Sequence, residues 1–195
     1  MQTQKNDLLV SIRQEAFRLT RIVNNLLDIT RIEGGQLKLN MTPYDPSEII
    51  GAAIESCRDK LKDCALVLSV PGNLPFIKMD GLLVSQLIQN LLENAAHHTP
   101  AGTEVAVHAE VKEGCFRMSV SDNGPGIPQG QEKEIFNKFA TFSYGDKPKG
   151  TGLGLAISQA IAAAHHGRIW AENRKEGGAR FVFELPSELI IRESR

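Results

Sequence analysis

Two glycine-punctuated segments, Asp122-Asn123-Gly124-Pro125-Gly126-Ile127 and Gly150-Thr151-Gly152-Leu153-Gly154-Leu155, lie downstream of a helix-patterned stretch that carries Asn90 and Asn94. This order constrains the chain more than any other feature. The first segment ends an alternating run, Cys115 to Asp122, that reads as a half-buried strand, so Asp122 sits where the strand breaks into a turn. A carboxylate there can accept a hydrogen bond from an exocyclic amine such as that of adenine. The glycines beside it permit positive φ and let the backbone approach a flat ring closely. The second segment opens a helix, Leu153 to about Ala164, whose first unpaired N–H groups suit a phosphate. Either segment alone is as well explained by a tight turn or a helix start; together with the asparagine helix they describe a nucleotide pocket.

In that helix Leu83, Leu87, Ile88, Leu91, Leu92 and Ala95 form an apolar face at helical spacing, and Asn90 and Asn94 stand one turn apart at its margin. Asparagine is a poor helix former, so two of them without partners would cost stability. The amide oxygen of Asn94 can instead coordinate a hydrated Mg²⁺ that bridges ATP phosphates.

On these residues the chain resembles the catalytic, ATP-binding domain of bacterial sensor histidine kinases, of the Bergerat type shared with gyrase, the mismatch-repair ATPases and a heat-shock chaperone. Asn90 to Thr99 resembles the family's asparagine box, Asp122 to Ile127 its first glycine box, Phe136 to Phe139 its phenylalanine box and Gly150 to Leu155 its second glycine box. Gly177 to Pro186 looks like the closing strand, with Ala179 where a hydroxyl residue is usual. Gly167 to Asn173 and Asn90 to Ala95 are similar to the potassium and turgor-sensing kinases of the Kdp type.

The resemblance implies ATP and Mg²⁺ as ligands, with Asn94 on the metal. Asp122, Gly124, Gly126, Ile127, Phe136 and Phe139 would line the nucleotide, as would Lys149, Gly150, Thr151, Gly152, Leu153, Gly154 and Leu155. His97 takes the place of a phosphate-contacting lysine or histidine, and His98 that of an aromatic residue that packs on adenine. Asn90 occupies the position where water-hydrolysing relatives carry a glutamate base. An amide cannot serve as a general base, so the pocket resembles a kinase that holds ATP for an incoming imidazole. Glu93 is a fallback base, although it projects about 100° around the helix from Asn94. Lys138, Lys147 and Lys149 are candidates to face the phosphates, Lys138 in a catalytic role. Residues 140–149 read as a mobile lid carrying Phe142 and Tyr144, with Thr141 where many members have an arginine.

The expected fold is an α/β (α+β) two-layer sandwich, a mixed sheet covered by helices on one face, with ATP at the open face beneath the helices. The expected elements are a strand near 36–41, a helix from about 46 to 61, and strands near 66–70 and 76–79. After the asparagine helix come strands at 104–111, 115–121, 168–173 and 179–185. The domain would occupy residues 36–195. Before it, Leu8, Ile12, Leu19, Ile22, Leu26 and Ile29 recur at helical steps up to Gly34-Gly35. Residues 1–35 resemble the second helix of the family's dimerisation and phosphotransfer hairpin.

A net charge of −1 and a pI near 6.5 give no electrostatic case for nucleic acid. There is no secretory signal and no apolar run of about 18 residues. The three cysteines, Cys57, Cys64 and Cys115, show no metal-ligand spacing and suggest thiols in a reducing cytosol. None of His97, His98, His108, His165 and His166 sits in the family's phosphoacceptor pattern. The expectation is therefore a cytoplasmic fragment that cannot phosphorylate itself, from a homodimeric parent that can be an inner-membrane protein. Its partners would be an acceptor hairpin and a response regulator. The alternatives are a non-catalytic ATP-binding interaction module and a serine kinase of the anti-sigma-factor type.

Overall fold

The structure, a computed structural model, describes residues 38–141 and 151–191 together with scattered positions from Ile12 to Gly34. Five strands form the main sheet: β2 (Ala65–Ser69), β4 (Glu104–Lys112), β5 (Cys115–Asp122), β6 (Arg168–Asn173) and β7 (Ala179–Leu185). Their order is β2-β4-β5-β7-β6, with β2 and β4 parallel and the other pairs antiparallel. Alternation sends Val105, Val107, Phe116, Met118, Val120, Phe181, Phe183 and Ile169 into the core beneath the helices. The mixed sheet covered on one face is the expected architecture.

The opposite, open face is polar and ion-paired. Glu184, only 6% exposed, accepts hydrogen bonds from Arg117 Nε and from Arg168 Nε at 2.7 Å. Burial pushes the Glu184 carboxyl up, but the two guanidinium groups outweigh it and hold the group below the ordinary carboxylate value. Asn90, Asn94 and Gly154 lie in the helical layer and Asp122 at the end of β5, on the helical side of the sheet in phase with buried Val120, so the candidate residues lie away from this open face.

A small second sheet pairs β1 (Thr42–Tyr44) with β3 (Ile77–Met79). The strand expected over 36–41 therefore lies further along the chain. The register explains the shift: Ile77 and Met79 are fully buried and pair with Tyr44 and Thr42, and the ladder ends where the Asn40 N–H meets Asp80 Oδ2 at 2.9 Å. The single helix expected over 46–61 is two, α1 (Pro46–Ser56) and α2 (Arg58–Leu61). Asp45 caps α1 by accepting from the Ser47 N–H at 2.8 Å, with Pro46 preset in the first turn. The helix breaks at Cys57, whose N–H is shared between the Ala53 and Ile54 carbonyls while its side chain is buried.

Helix α3 (Gly81–His98) is capped by Asp80, whose Oδ1 accepts from the Leu83 N–H at 3.2 Å. Its buried stripe is Val84, Leu87, Ile88, Leu91, Leu92 and Ala95. Full burial of each large member contributes about 1.5–3 kcal/mol, which outweighs the helix penalty of two asparagines at up to ~0.7 kcal/mol each. It packs between α1 and α4 (Gly154–Ala164). In the N-terminal segment the described positions from Ile12 to Thr30 are helical, and Ile12, Leu19, Val23, Leu26 and Leu27 are exposed. Leu8, Ile22 and Ile29 lie outside the described residues.

Candidate nucleotide site

Three strand ends meet where Asp122 closes β5, Ala179 opens β7 and Asn173 closes β6. Asp122 is 5% exposed, and its Oδ1 accepts from the Gly124 N–H at 2.9 Å and the Ala179 N–H at 3.3 Å. Burial pushes its pKa above the ordinary value. The two N–H groups and the nearby Arg174 charge oppose that rise without cancelling it. The loop that follows is stapled from three directions. Asn123 Oδ1 accepts from the Glu104 N–H at 2.9 Å, Arg174 Nη1 donates to the Asp122 carbonyl at 2.9 Å, and Asn173 grips Ile127. In that grip Asn173 Oδ1 accepts from the Ile127 N–H at 2.7 Å while its Nδ2 donates to the Ile127 carbonyl at 2.8 Å.

Asn173 and Arg174 were not among the residues expected from sequence. Asn173 ends the Kdp-like segment without a role attached to it, and the Gly177-Gly178 turn that follows marks a hairpin and no more. Sheet order is what brings them to the Asp122 loop, and sheet order is not written in any local pattern.

Helix α3 touches both glycine segments. Asn90 Nδ2 donates to the Gly154 carbonyl at 3.1 Å and lies 3.4 Å from Ser158 Oγ. At the other end, a Cβ on Gly124 would lie 2.6 Å from the Thr99 methyl, so only glycine fits there. Between them sits Asn94, half-buried. From Asn90 to Thr99 the helix rises about 13 Å, a span suited to a ligand with a base at one end and a polyphosphate at the other. The half-buried rings of His97 and His98 meet edge to face in the last turn, centroids 4.8 Å apart. Glu93 is ion-paired with Lys60 of α2.

The phenylalanine segment and the second glycine segment are stitched together. Phe136 is buried, in a short 3₁₀ turn spanning Glu134–Phe136. Phe139 is exposed at φ +65°, and its N–H donates to the Gly152 carbonyl at 2.8 Å. A Cβ on Gly152, itself at φ +67°, would fall 2.6 Å from the Phe139 carbonyl carbon. Leu153 is fully buried, Ile127 nearly so, and Thr151 and Leu155 are half-buried, while Lys138 is exposed. Phe142, Tyr144, Lys147, Lys149 and Gly150 lie outside the described residues.

Residues 79–189 match the family described as histidine kinase-, DNA gyrase B-, and HSP90-like ATPase. The chain belongs to this ATPase family. It is 42% identical over 177 residues to the sensor protein KdpD of Escherichia coli K12, covering 91% of this chain and 20% of that protein. It thus spans about a fifth of that relative's length. Among solved structures, full-length ShkA in complex with AMPPNP is 28% identical with a TM-score of 0.81, covering 94% of this chain and 39% of that one. The histidine kinase ThkA in complex with the response regulator TrrA is 27% identical with a TM-score of 0.71, covering 90% of this chain and 49% of that one.

In this ATPase domain no group of three or more His, Cys, Asp and Glu among the described residues could hold a metal. The donor set fits a cation brought with a ligand instead. Mg²⁺ is typically held by one or two protein oxygens, with water and phosphate completing its shell, and the Asn94 amide offers one such oxygen. No helix among the described residues is long and apolar enough to cross a membrane.

Proposed function

We propose that this ATPase domain is the ATP-binding kinase core of a two-component sensor, which transfers the γ-phosphoryl group of ATP to a histidine on a hairpin supplied from outside residues 36–195. The observation that carries the reading is the contact of one helix with both glycine segments, Asn90 against Gly154 and Thr99 against Gly124. Asp122 is assigned to the base. Both of its loop hydrogen bonds use Oδ1, which leaves Oδ2 to receive an exocyclic amine. Asn94 is assigned to Mg²⁺, a Lewis acid that neutralises phosphate charge when bound. His97, Lys138 and Lys149 are assigned to the phosphates, and Phe136, Phe139 and Gly150 to the nucleotide, as in the family's boxes.

Chemistry favours transfer over hydrolysis. The Asn90 amide has no basic atom and its N–H is donated to Gly154, while Glu93 is held by Lys60. In this reading the domain is cytoplasmic, its parent is a homodimeric membrane sensor, and a response regulator takes the phosphoryl group from the histidine. Neither alternative, the non-catalytic module or the anti-sigma-type serine kinase, is favoured by relatives that are sensor kinases.

The test uses labelled ATP. This chain alone stays unlabelled, a supplied acceptor hairpin becomes labelled, and Asn94→Ala lowers transfer at least ~100-fold, the effect of losing a charge-neutralising group, with the magnesium dependence of ATP binding lost. Acid-labile label on the chain's own histidines, or wild-type ATP binding that Asn94→Ala leaves unchanged, would overturn the assignment.

A further inference from the structure

Gly126 of the first box and Gly178 of the β6–β7 turn make room for protein, not only for a ligand. A Cβ on Gly126, at φ +80°, would lie 2.6 Å from Asn173 Oδ1, and one on Gly178, at φ +85°, would lie 2.0 Å from the Asp122 carbonyl oxygen. The contact is therefore made from both sides: the Asn173 side chain at the β6 end fills the space beside Gly126 of the loop, and the Asp122 carbonyl of the loop fills the space beside Gly178 of the β6–β7 turn. That turn is itself closed, with the Arg174 N–H donating to the Gly178 carbonyl at 2.9 Å and the Gly177 N–H to the Arg174 carbonyl at 3.2 Å. Its two leading side chains hold opposite ends of one short loop: Arg174 pins the Asp122 carbonyl, and Asn173 clasps both backbone polar groups of Ile127.

We propose that Asn173 and Arg174 are positioning residues that set the base discrimination of this site. The argument rests on Asp122 being the base-recognising group. A hydrogen-bonding carboxylate separates adenine from guanine only if its oxygen is held still, because the two bases present an amine and a carbonyl at the same ring position. Asp122 is fixed on its own strand at one side only; beyond it the backbone enters a loop of Gly and Pro with no ladder partner. The carboxamide of Asn173 replaces the missing ladder with one donor and one acceptor on the same residue. Arg174 does the corresponding work at Asp122 and adds a positive charge that favours the ionised, accepting carboxylate.

The experiment measures ADP and GDP affinities by calorimetry for wild type, Asn173→Ala and Arg174→Met, with melting temperatures alongside. The expected result is a preference for ADP in wild type that falls about tenfold in Asn173→Ala, the effect of two neutral hydrogen bonds, and by a smaller factor in Arg174→Met. In the transfer assay KM for ATP rises while kcat holds, as for lost uniform binding. A purely structural lesion lowers stability and both affinities together and leaves the ADP-to-GDP ratio intact, which would overturn the proposal. Should Asn173→Ala not fold, an unchanged ratio in Arg174→Met overturns it as well. Failure of wild type to bind either nucleotide would instead remove the functional reading beneath it.

Discussion

Asp122 is placed against its own stability. Its carboxylate is almost wholly buried, and burial raises its pKa despite two backbone donors and a neighbouring guanidinium. A carboxyl whose folded pKa lies above its unfolded value contributes stability that is fully present below the unfolded value of 3.8 and is lost as pH rises through the folded one. At neutral pH the site therefore holds a desolvated charge that folding alone does not need. Asp122→Asn keeps an acceptor for the Gly124 and Ala179 N–H groups while removing that charge. The expected outcome at pH 7 is a melting temperature equal to or above wild type, the gap closing toward pH 4, with ATP affinity falling about 10- to 100-fold from loss of a charge-assisted bond. Calorimetry and thermal unfolding on one preparation check both halves. A variant that loses stability along with binding would show that the carboxylate is there for the fold.

The ends of α3 and α4 are joined by a second buried titratable group. His165, at the C-terminal end of α4 and fully buried, has its Nδ1 2.8 Å from the Ile161 carbonyl, and its Nε2 accepts from the Asp80 N–H at 3.0 Å. Only a neutral ring can donate at one nitrogen and accept at the other. Burial lowers its pKa, with His166 acting in the same direction and the Ile161 carbonyl and Asp80 carboxylate against it. The unfolded chain takes up a proton near pH 6.5 that the folded ring refuses, so this stability is complete above that pH and is lost as pH falls through it toward the lower folded pKa. For one group the slope reaches at most about 1.4 kcal/mol per pH unit. Denaturant unfolding between pH 7.5 and 5.5 should show stability falling with pH more steeply in wild type than in His165→Gln; equal slopes would mean that the folded ring takes up its proton as readily as the unfolded one. The elements these groups join were legible to different degrees. β6 and β7 fall on the expected bounds because alternation over a half-buried sheet leaves a period of two in the sequence. The break at Cys57 was not legible, since it is made by a backbone bend that buries an ordinary small apolar residue. Neither was β1, whose three residues are too few to carry a period and whose register is set by Asp80, far along the chain. At the site, Asp122 and the glycines announced themselves locally, whereas Asn173 acts across the sheet and no local pattern could name it.

The molecule as a whole divides energetically where the described core begins. Among the described residues, every member of the buried cluster and of the partly buried apolar shell around it lies at or beyond Tyr44. The described apolar side chains of the N-terminal helix, Ile12, Leu19, Val23, Leu26 and Leu27, are 40–57% exposed. Apolar stabilisation scales with area removed from water, so these side chains add little to the stability of residues 38–191 in a single chain. Among the described residues, the Asn40 N–H on Asp80 Oδ2 ties the start of the domain to the fold, and a chain beginning at Lys38 retains it. Deleting residues 1–37 should therefore change the unfolding free energy by less than about 1 kcal/mol, the scale of surface changes outside a packed core, and leave ATP affinity as it was. The proposed homodimeric parent would cover these described side chains with those of a second copy. Sedimentation of both proteins across a concentration series tests this directly. Association in the full chain that vanishes on deletion, with stability and ATP affinity unchanged in the shorter one, is the expected outcome. A truncated chain that unfolds or fails to bind ATP would mean that the helix packs on its own domain and that these side chains belong to the core.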